Sequence, residues 1–214
     1  MPKHKPIKFE TTLEPNLKEY VSRIIKENPK AKNALKVTLG IIAMGGILTF
    51  GAAFPALLGE IGKIRQRQKR ESYEKYQRVW RNFKNLKKQR MLDFVKEEDG
   101  RLVYQLNKKG KEKIRKFVFD ELKINEPKEW DGKWRLVIFD IPEKYKKNRN
   151  ALRNKLKDMG FYQCQKSAWI HPFDCVEEIG FTKDVLNMKP FVKLFVVEEM
   201  DDGNVLYHFK DIIR

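Results

Sequence analysis

The chain has 214 residues, 41% of them hydrophobic and 35% charged, and carries a formal net charge of +17. That length holds one large or two small domains, and that charge favours a polyanionic partner, nucleic acid or an anionic membrane surface, over an acidic or neutral one. Its two cysteines, Cys164 and Cys175, exclude a disulfide framework and have no zinc-site spacing, so the expected compartment is a reducing cytoplasm.

Residues 1–33 read as a basic N-terminal segment. No signal peptide is expected, since the long apolar run begins only near Val37 and no small-residue cleavage pattern follows it. From Val37 to Gly59 the sequence VTLGIIAMGGILTFGAAFPALLG carries no charge and is long enough to cross a bilayer. Basic residues flank it on both sides, so charge does not orient it. The pair Gly45-Gly46 and Pro55 divide it into pieces of helix length. Two readings therefore stand for 37–59. One is a pair of core helices, Ala34–Ile47 and Pro55–Ile64, with Pro55 at a first helical position. The other is a membrane segment that tethers the chain facing the cytoplasm.

The charge is concentrated between 63 and 90, where twelve basic residues stand against two acidic ones. In ESYEKYQRVWRNFKNLKKQR, Tyr76, Val79, Trp80, Phe83 and Leu86 recur at three- and four-residue steps and fill an arc of roughly 140°. The opposite side holds Arg78, Arg81, Asn85 and Lys88, with Gln77 at its edge and Ser72 placed to cap the N-terminus. Arg, Lys, Asn and Gln are the side chains that reach phosphates and base edges from a groove-bound helix. A strand over Met91–Val95, a turn over Lys96–Arg101 and a returning strand over Leu102–Leu106 follow. A second basic helix starts at Lys108. Helix, hairpin and helix in that order is the back half of a winged helix-turn-helix, which assigns 34–116 to a winged-helix-like domain that binds double-stranded DNA through its basic helix. The acidic hairpin tip, Glu97, Glu98 and Asp99, argues against phosphate contacts from the wing.

Residues 117–129 read as a linker, and 130–214 as a second domain that is nearly neutral. Leu136–Phe139, flanked by Trp134 and Arg135, reads as a buried strand that ends at Asp140-Ile141-Pro142. A helix over Lys147–Met159 closed by Gly160, strands over Phe161–Lys166 and Ala168–His171, a helix over Val176–Leu186 and a strand over Val192–Glu198 follow. Val205–Phe209 reads as a last short strand. The order β-α-β-β-α-β is the split pattern of the ferredoxin-like fold, so the fold class is α+β.

Phe139-Asp140-Ile141, Arg149, Leu156, Gly160 and Gln165-Lys166-Ser167-Ala168-Trp169 resemble the motif set of Cas-two, the small partner in CRISPR spacer acquisition. WDGKWRLVIFDIPE and GFYQCQKSAWIHP behind a basic winged domain resemble, more fully, the PaaX-type transcriptional repressors, whose central domain is Cas-two-like. The similarity is close over about 115–214 and loose over 63–115. It implies a DNA-binding transcriptional regulator, repressor-like, that forms a homodimer through its ferredoxin-like domain. The further region that such repressors use in effector sensing is not among these residues, so no acyl-thioester effector is carried over.

The resemblance also implies an alternative, a metal-dependent endonuclease or a structural subunit related to CRISPR adaptation. In Cas-two nucleases the matching aspartate binds a divalent metal opposite its symmetry mate, so Asp140 becomes the candidate catalytic residue and metal ligand, with Mg or Mn as cofactor. A hard cation needs several oxygen ligands, and one chain offers a single carboxylate there. The competing account of Asp140 is structural, a turn residue that accepts backbone N–H bonds and starts the next helix. Ser167 has no activating base near it in sequence and reads as a turn residue. His171, Asp174 and Cys175 can be drawn as a metal cluster, but a loop histidine beside Pro172 is the plainer reading. As a regulator the chain needs no cofactor and no catalytic residue.

Overall fold

In the computed structural model, which describes residues 5–27, 34–48 and 66–213, the basic N-terminal segment contributes a strand and a helix to the first unit. Ile7–Glu10 forms a strand, β1, in which Ile7 and Phe9 point inward and alternate with Lys8 and Glu10. Pro15–Glu27 is a helix, α1, with Pro15 at its first position and Leu17, Tyr20, Val21 and Ile24 buried along one stripe. Lys8 of β1 and Lys18 and Arg23 of α1 therefore stand on structured elements.

The helix expected over Ala34–Ile47 ends earlier, at Ala43 (α2, Ala34–Ala43). Gly46 N–H donates to the Ile41 carbonyl at 2.8 Å and Gly45 N–H to the Ile42 carbonyl at 3.2 Å, with Gly45 at φ +68°. That is a Schellman closure, which needs the left-handed conformation glycine adopts without strain. Ile47–Leu48 then forms β2 and pairs antiparallel with β1. Residues 37–48 thus do not form one continuous helix. Among the described residues no helix is long and apolar enough to cross a membrane, and the helix expected over Pro55–Ile64 lies outside them.

The basic helix, α3, spans Gln66–Lys88, so Ser72 lies within it and does not cap it. β3 (Leu92–Glu98) and β4 (Arg101–Leu106) form the hairpin. Its strands extend into the expected turn because Asp99 (φ +50°) and Gly100 (φ +67°) suffice to reverse the chain, as an Asp-Gly pair does in a two-residue hairpin. β4 also runs parallel to β1, giving a four-stranded sheet in the order β2-β1-β4-β3. This sheet is larger than the hairpin that the sequence suggested. Phe83 of α3 packs edge-on against Phe9 at 6.0 Å and Tyr104 at 5.4 Å between ring centroids, which ties the helix to the sheet.

The next helix, α4 (Lys108–Glu121), runs through the start of the expected linker. Contacts divide the chain into two units at Asp120 and Glu121. The 117–129 stretch is only partly a free connector, because Leu122 and Ile124 are buried. Trp130 and Arg135 close the entrance of the second unit. The Pro172 carbonyl accepts from Trp130 Nε1 at 2.8 Å and from the Arg135 guanidinium at 3.0 Å, and Asp131 pairs with Arg135 at 2.5 Å. The hydrogen bond from Arg135 holds the Asp131 carboxyl below the usual carboxylate range.

In this unit β5 (Trp134–Phe139), α5 (Lys146–Asp158), β6 (Tyr162–Gln165), β7 (Ala168–His171), α6 (Val176–Val185) and β8 (Val192–Val197) follow in chain order. The sheet order is β6-β7-β5-β8 with all neighbours antiparallel, the arrangement of a ferredoxin-like fold. Gly160 (φ +87°) closes α5. Val205–Phe209 is a correction: Gly203–Phe209 is a helix, α7, whose N-cap Asp202 accepts from the backbone N–H groups of Asn204 and Val205. Val205 and Phe209, one turn apart, meet Trp134 and Ile170 on the sheet.

Candidate nucleic-acid interface

α3 divides into two faces. Val79, Trp80, Phe83 and Leu86 are buried, while Arg78, Arg81, Asn85 and Lys88 are exposed and Gln77 lies at the boundary. Between 77 and 88 no acidic residue interrupts the face. The Tyr76 side chain lies outside the described residues. Arg81 leans back on its own helix, its Nε donating to the Gln77 carbonyl at 3.4 Å. Two further cations extend the surface, and the sequence reading missed both. Lys84 lies over the Trp80 ring at 5.9 Å. Lys87 donates to the Tyr104 hydroxyl at 3.0 Å and lies over that ring, 5.2 Å from its centroid. Spacing puts Lys84 on the rim of the core stripe, where a long side chain can snorkel, whereas Lys87 falls within the stripe's arc at the last turn and no helical pattern marked it.

The end of α3 is fixed. Arg90 takes a left-handed conformation (φ +53°) where glycine is usual. Asn107 reaches across from the start of α4, with its side-chain amide donating to the Arg90 carbonyl at 2.9 Å and to Asp93 at 3.1 Å. Its carbonyl oxygen accepts from Gly110 N–H at 3.1 Å, the N-cap bond of α4. One side chain thus joins the helix, the first hairpin strand and the following helix.

The hairpin tip is less acidic in effect than its sequence implies. Lys5 pairs with Glu97 at 2.6 Å, and Glu98 takes Lys96 at 2.7 Å and Lys8 at 3.3 Å. Those hydrogen bonds hold the Glu98 carboxyl below its ordinary range. Two of the three partner lysines come from in or near β1, more than eighty residues away in sequence. Asp99 remains exposed.

In the second unit Asp140 is exposed at the end of β5, with its backbone N–H donating to the Phe191 carbonyl at 3.0 Å. It does not start the next helix. Neither the 3-10 turn Glu143–Tyr145 nor α5 takes a side-chain cap, and Ile141-Pro142 carries the chain between them. Among the described residues no three His, Cys, Asp or Glu side chains converge to hold a metal ion, so one chain's residues do not fit a hard cation at Asp140. His171, Asp174 and Cys175 likewise form no ligand group. The His171 ring is buried between aromatic neighbours, Nδ1 accepts from Phe173 N–H at 3.1 Å, and burial pushes its pKa down to about 4. Burial pushes the Cys175 thiol up to about 12, and the Asp174 carboxylate accepts from Val176 N–H. Ser167 is a turn residue whose carbonyl accepts from Phe139 N–H.

The sheet of this unit has one face only half covered. Trp134, Leu136 and Ile138 alternate onto the side where α7 packs. α7 covers the Trp134 end, leaving Ile138 40% and Phe195 45% exposed. β8 is an edge strand.

Among curated proteins none matches the chain. Residues 127–205 match the family described as the PaaX protein central Cas2-like domain. The match spans β5 through the start of α7, and that domain's ferredoxin-like order is the one the sheet adopts. Over those residues the second unit is similar to the central Cas2-like domain of PaaX proteins.

Proposed function

We propose that this protein is a DNA-binding transcriptional regulator, repressor-like, in which α3 enters the duplex as the helix of a winged-helix-like unit and the Cas2-like unit pairs two copies. The observation that carries the reading is the division of α3, with Arg78, Arg81, Asn85 and Lys88 exposed opposite a buried stripe and a hairpin following directly. The similarity of residues 127–205 to a domain of PaaX proteins supports the same reading. The half-covered sheet face, with Ile138 and Phe195 exposed beside the open edge of β8, supports a homodimer. An apolar face of this kind is stable in water once a second copy removes it from solvent. The two cysteines are free thiols, which fits a reducing cytoplasm.

The alternative of a divalent-metal-dependent endonuclease rests on Asp140 alone, and nothing in the geometry around that carboxylate favours it.

The test is duplex binding by the full chain. Arg78→Glu with Arg81→Glu replaces two cations by anions on the proposed face, and affinity should fall by at least ~100-fold at low salt, because both counterion release and long-range attraction are lost. Fluorescence anisotropy with a labelled duplex measures this. Equal affinity of the variant and the native chain would refute α3 as the DNA-binding element.

A further inference from the structure

The near-neutral total of the second unit hides a separation of charge. Between Glu143 and Lys166 there are eight basic residues and two acidic ones, whereas 198–202 holds Glu198, Glu199, Asp201 and Asp202 with no cation. The two groups belong to opposite sides of the sheet. Arg153 of α5 lies over the Phe139 ring at 5.7 Å, on the face opposite to Trp134, and the acidic run leads into α7, which packs on the Trp134 face.

α5 buries Leu152, Lys155 and Leu156. Its outward side exposes Lys146, Lys147, Asn150, Asn154 and Lys157. At 100° per residue these occupy one arc opposite the buried stripe, with Asp158 as the one acid, at the end of the helix. Glu143, just before the helix, pairs with Arg149 at 2.7 Å and more loosely with Lys146 at 3.6 Å. Lys147 and Lys157 have no such partner within the unit's described ion pairs. Lys146 and Lys157 lie about 16 Å apart along the axis, too far to serve a single phosphate.

We propose that this outward face of α5 is a second contact surface for the sugar–phosphate backbone of duplex DNA, supplementary to α3. The proposal rests on the reading of the protein as a duplex-binding regulator. The residue types select the ligand. Lysine and asparagine are donors to phosphate oxygens. No apolar side chain lies on this arc, so the face lacks what an interfacial helix needs to lie in a membrane. No exposed aromatic lies there either, so it lacks the stacking platform of a single-strand binder. A surface of this kind adds affinity and orientation without reading sequence.

The test uses the full chain with Lys146→Gln, Lys147→Gln and Lys157→Gln together, all at exposed positions, and a melting curve to show that the variant is folded. Anisotropy titrations over a range of salt concentrations are run with two duplexes of unrelated sequence. Three lost phosphate contacts should make the slope of log K against log salt shallower by about two to three, equally for both duplexes. An unchanged slope overturns the proposal and leaves the α3 reading intact if Arg78→Glu with Arg81→Glu still abolishes binding. A shallower slope with no effect of the α3 pair supports α5 and refutes α3. Failure of the native chain to bind duplex even at low salt overturns both. Phosphatidylserine vesicles provide the remaining arm: vesicle binding that the three substitutions abolish, with the duplex slope unchanged, would give this face to a membrane and overturn the DNA assignment.

Discussion

In the first unit polar and apolar residues are divided around one helix, and in the second they are divided between the two faces of one sheet. α3 buries Val79, Trp80, Phe83 and Leu86 and turns cations outward, a surface that is stable in water as it stands. β5 sits at the centre of its sheet, with Val137 and Phe139 buried on one side and the half-buried Leu136 and exposed Ile138 on the other. That second side is apolar too, and α7 covers only part of it. The difference teaches what each unit asks of a partner. The helix offers charge and hydrogen-bond donors and suits a polyanion. The sheet offers hydrocarbon and suits another apolar surface.

The comparison is broken most severely by placing a charge on the open sheet face. Phe195→Asp should convert a homodimer to monomers in analytical ultracentrifugation. Burial of a side chain of this size contributes about 1.5–3 kcal/mol, and a symmetric interface counts it twice, so dimer affinity should fall by roughly 10²-fold to 10⁴-fold. A native chain already monomeric at high concentration would remove the sheet from consideration as an interface.

A smaller effect separates the units by pH. Burial holds His171 neutral, with a pKa of about 4 against an ordinary 6.5. Above about pH 6.5 the ring is neutral in the folded and unfolded chain alike, and the stabilisation is fully present. Toward pH 4 the unfolded chain takes up a proton that the folded ring refuses, so stability is lost as pH falls. Between about pH 7.5 and about pH 5 the second unit should lose on the order of 2 kcal/mol from this residue. Urea unfolding across that range measures it. His171→Asn keeps an acceptor for Phe173 N–H and should flatten the dependence even though it lowers overall stability. An equally steep fall in the variant would assign the pH sensitivity elsewhere.

The smallest expected effect is none. Asp140→Ala should leave duplex affinity within error, and the native chain should show no magnesium- or manganese-dependent cleavage. Metal-dependent cutting that Asp140→Ala abolishes would replace the regulator reading with the nuclease one.

What could be read from the sequence follows the range of the interactions. The faces of α3, the Asp99-Gly100 reversal and the Gly160 closure rest on residues within a few positions of one another, and each is written in local spacing. β1 is four residues long, sits among charges and takes its place by pairing with a strand more than ninety residues away. No local pattern announces that. The neutralised hairpin tip was hidden for the same reason, since Lys5 and Lys8 meet Glu97 and Glu98 only in the folded sheet. Val205–Phe209 has the composition of a strand, but the Asp202 cap and contacts with Trp134 and Ile170 hold it as a helix. Tertiary context overrode propensity there. Asp140 was misjudged as a cap because its neighbours Ile141 and Pro142, not its carboxylate, direct the chain.

The central claim is that duplex DNA lies against the outer face of α3. Photocrosslinking tests it directly, with a photoreactive amino acid placed at the exposed position 85 of the full chain and a labelled duplex as the target. The account predicts a crosslink from position 85 that excess unlabelled duplex competes away. Its absence, with a crosslink from the same group placed at position 140, would contradict the account.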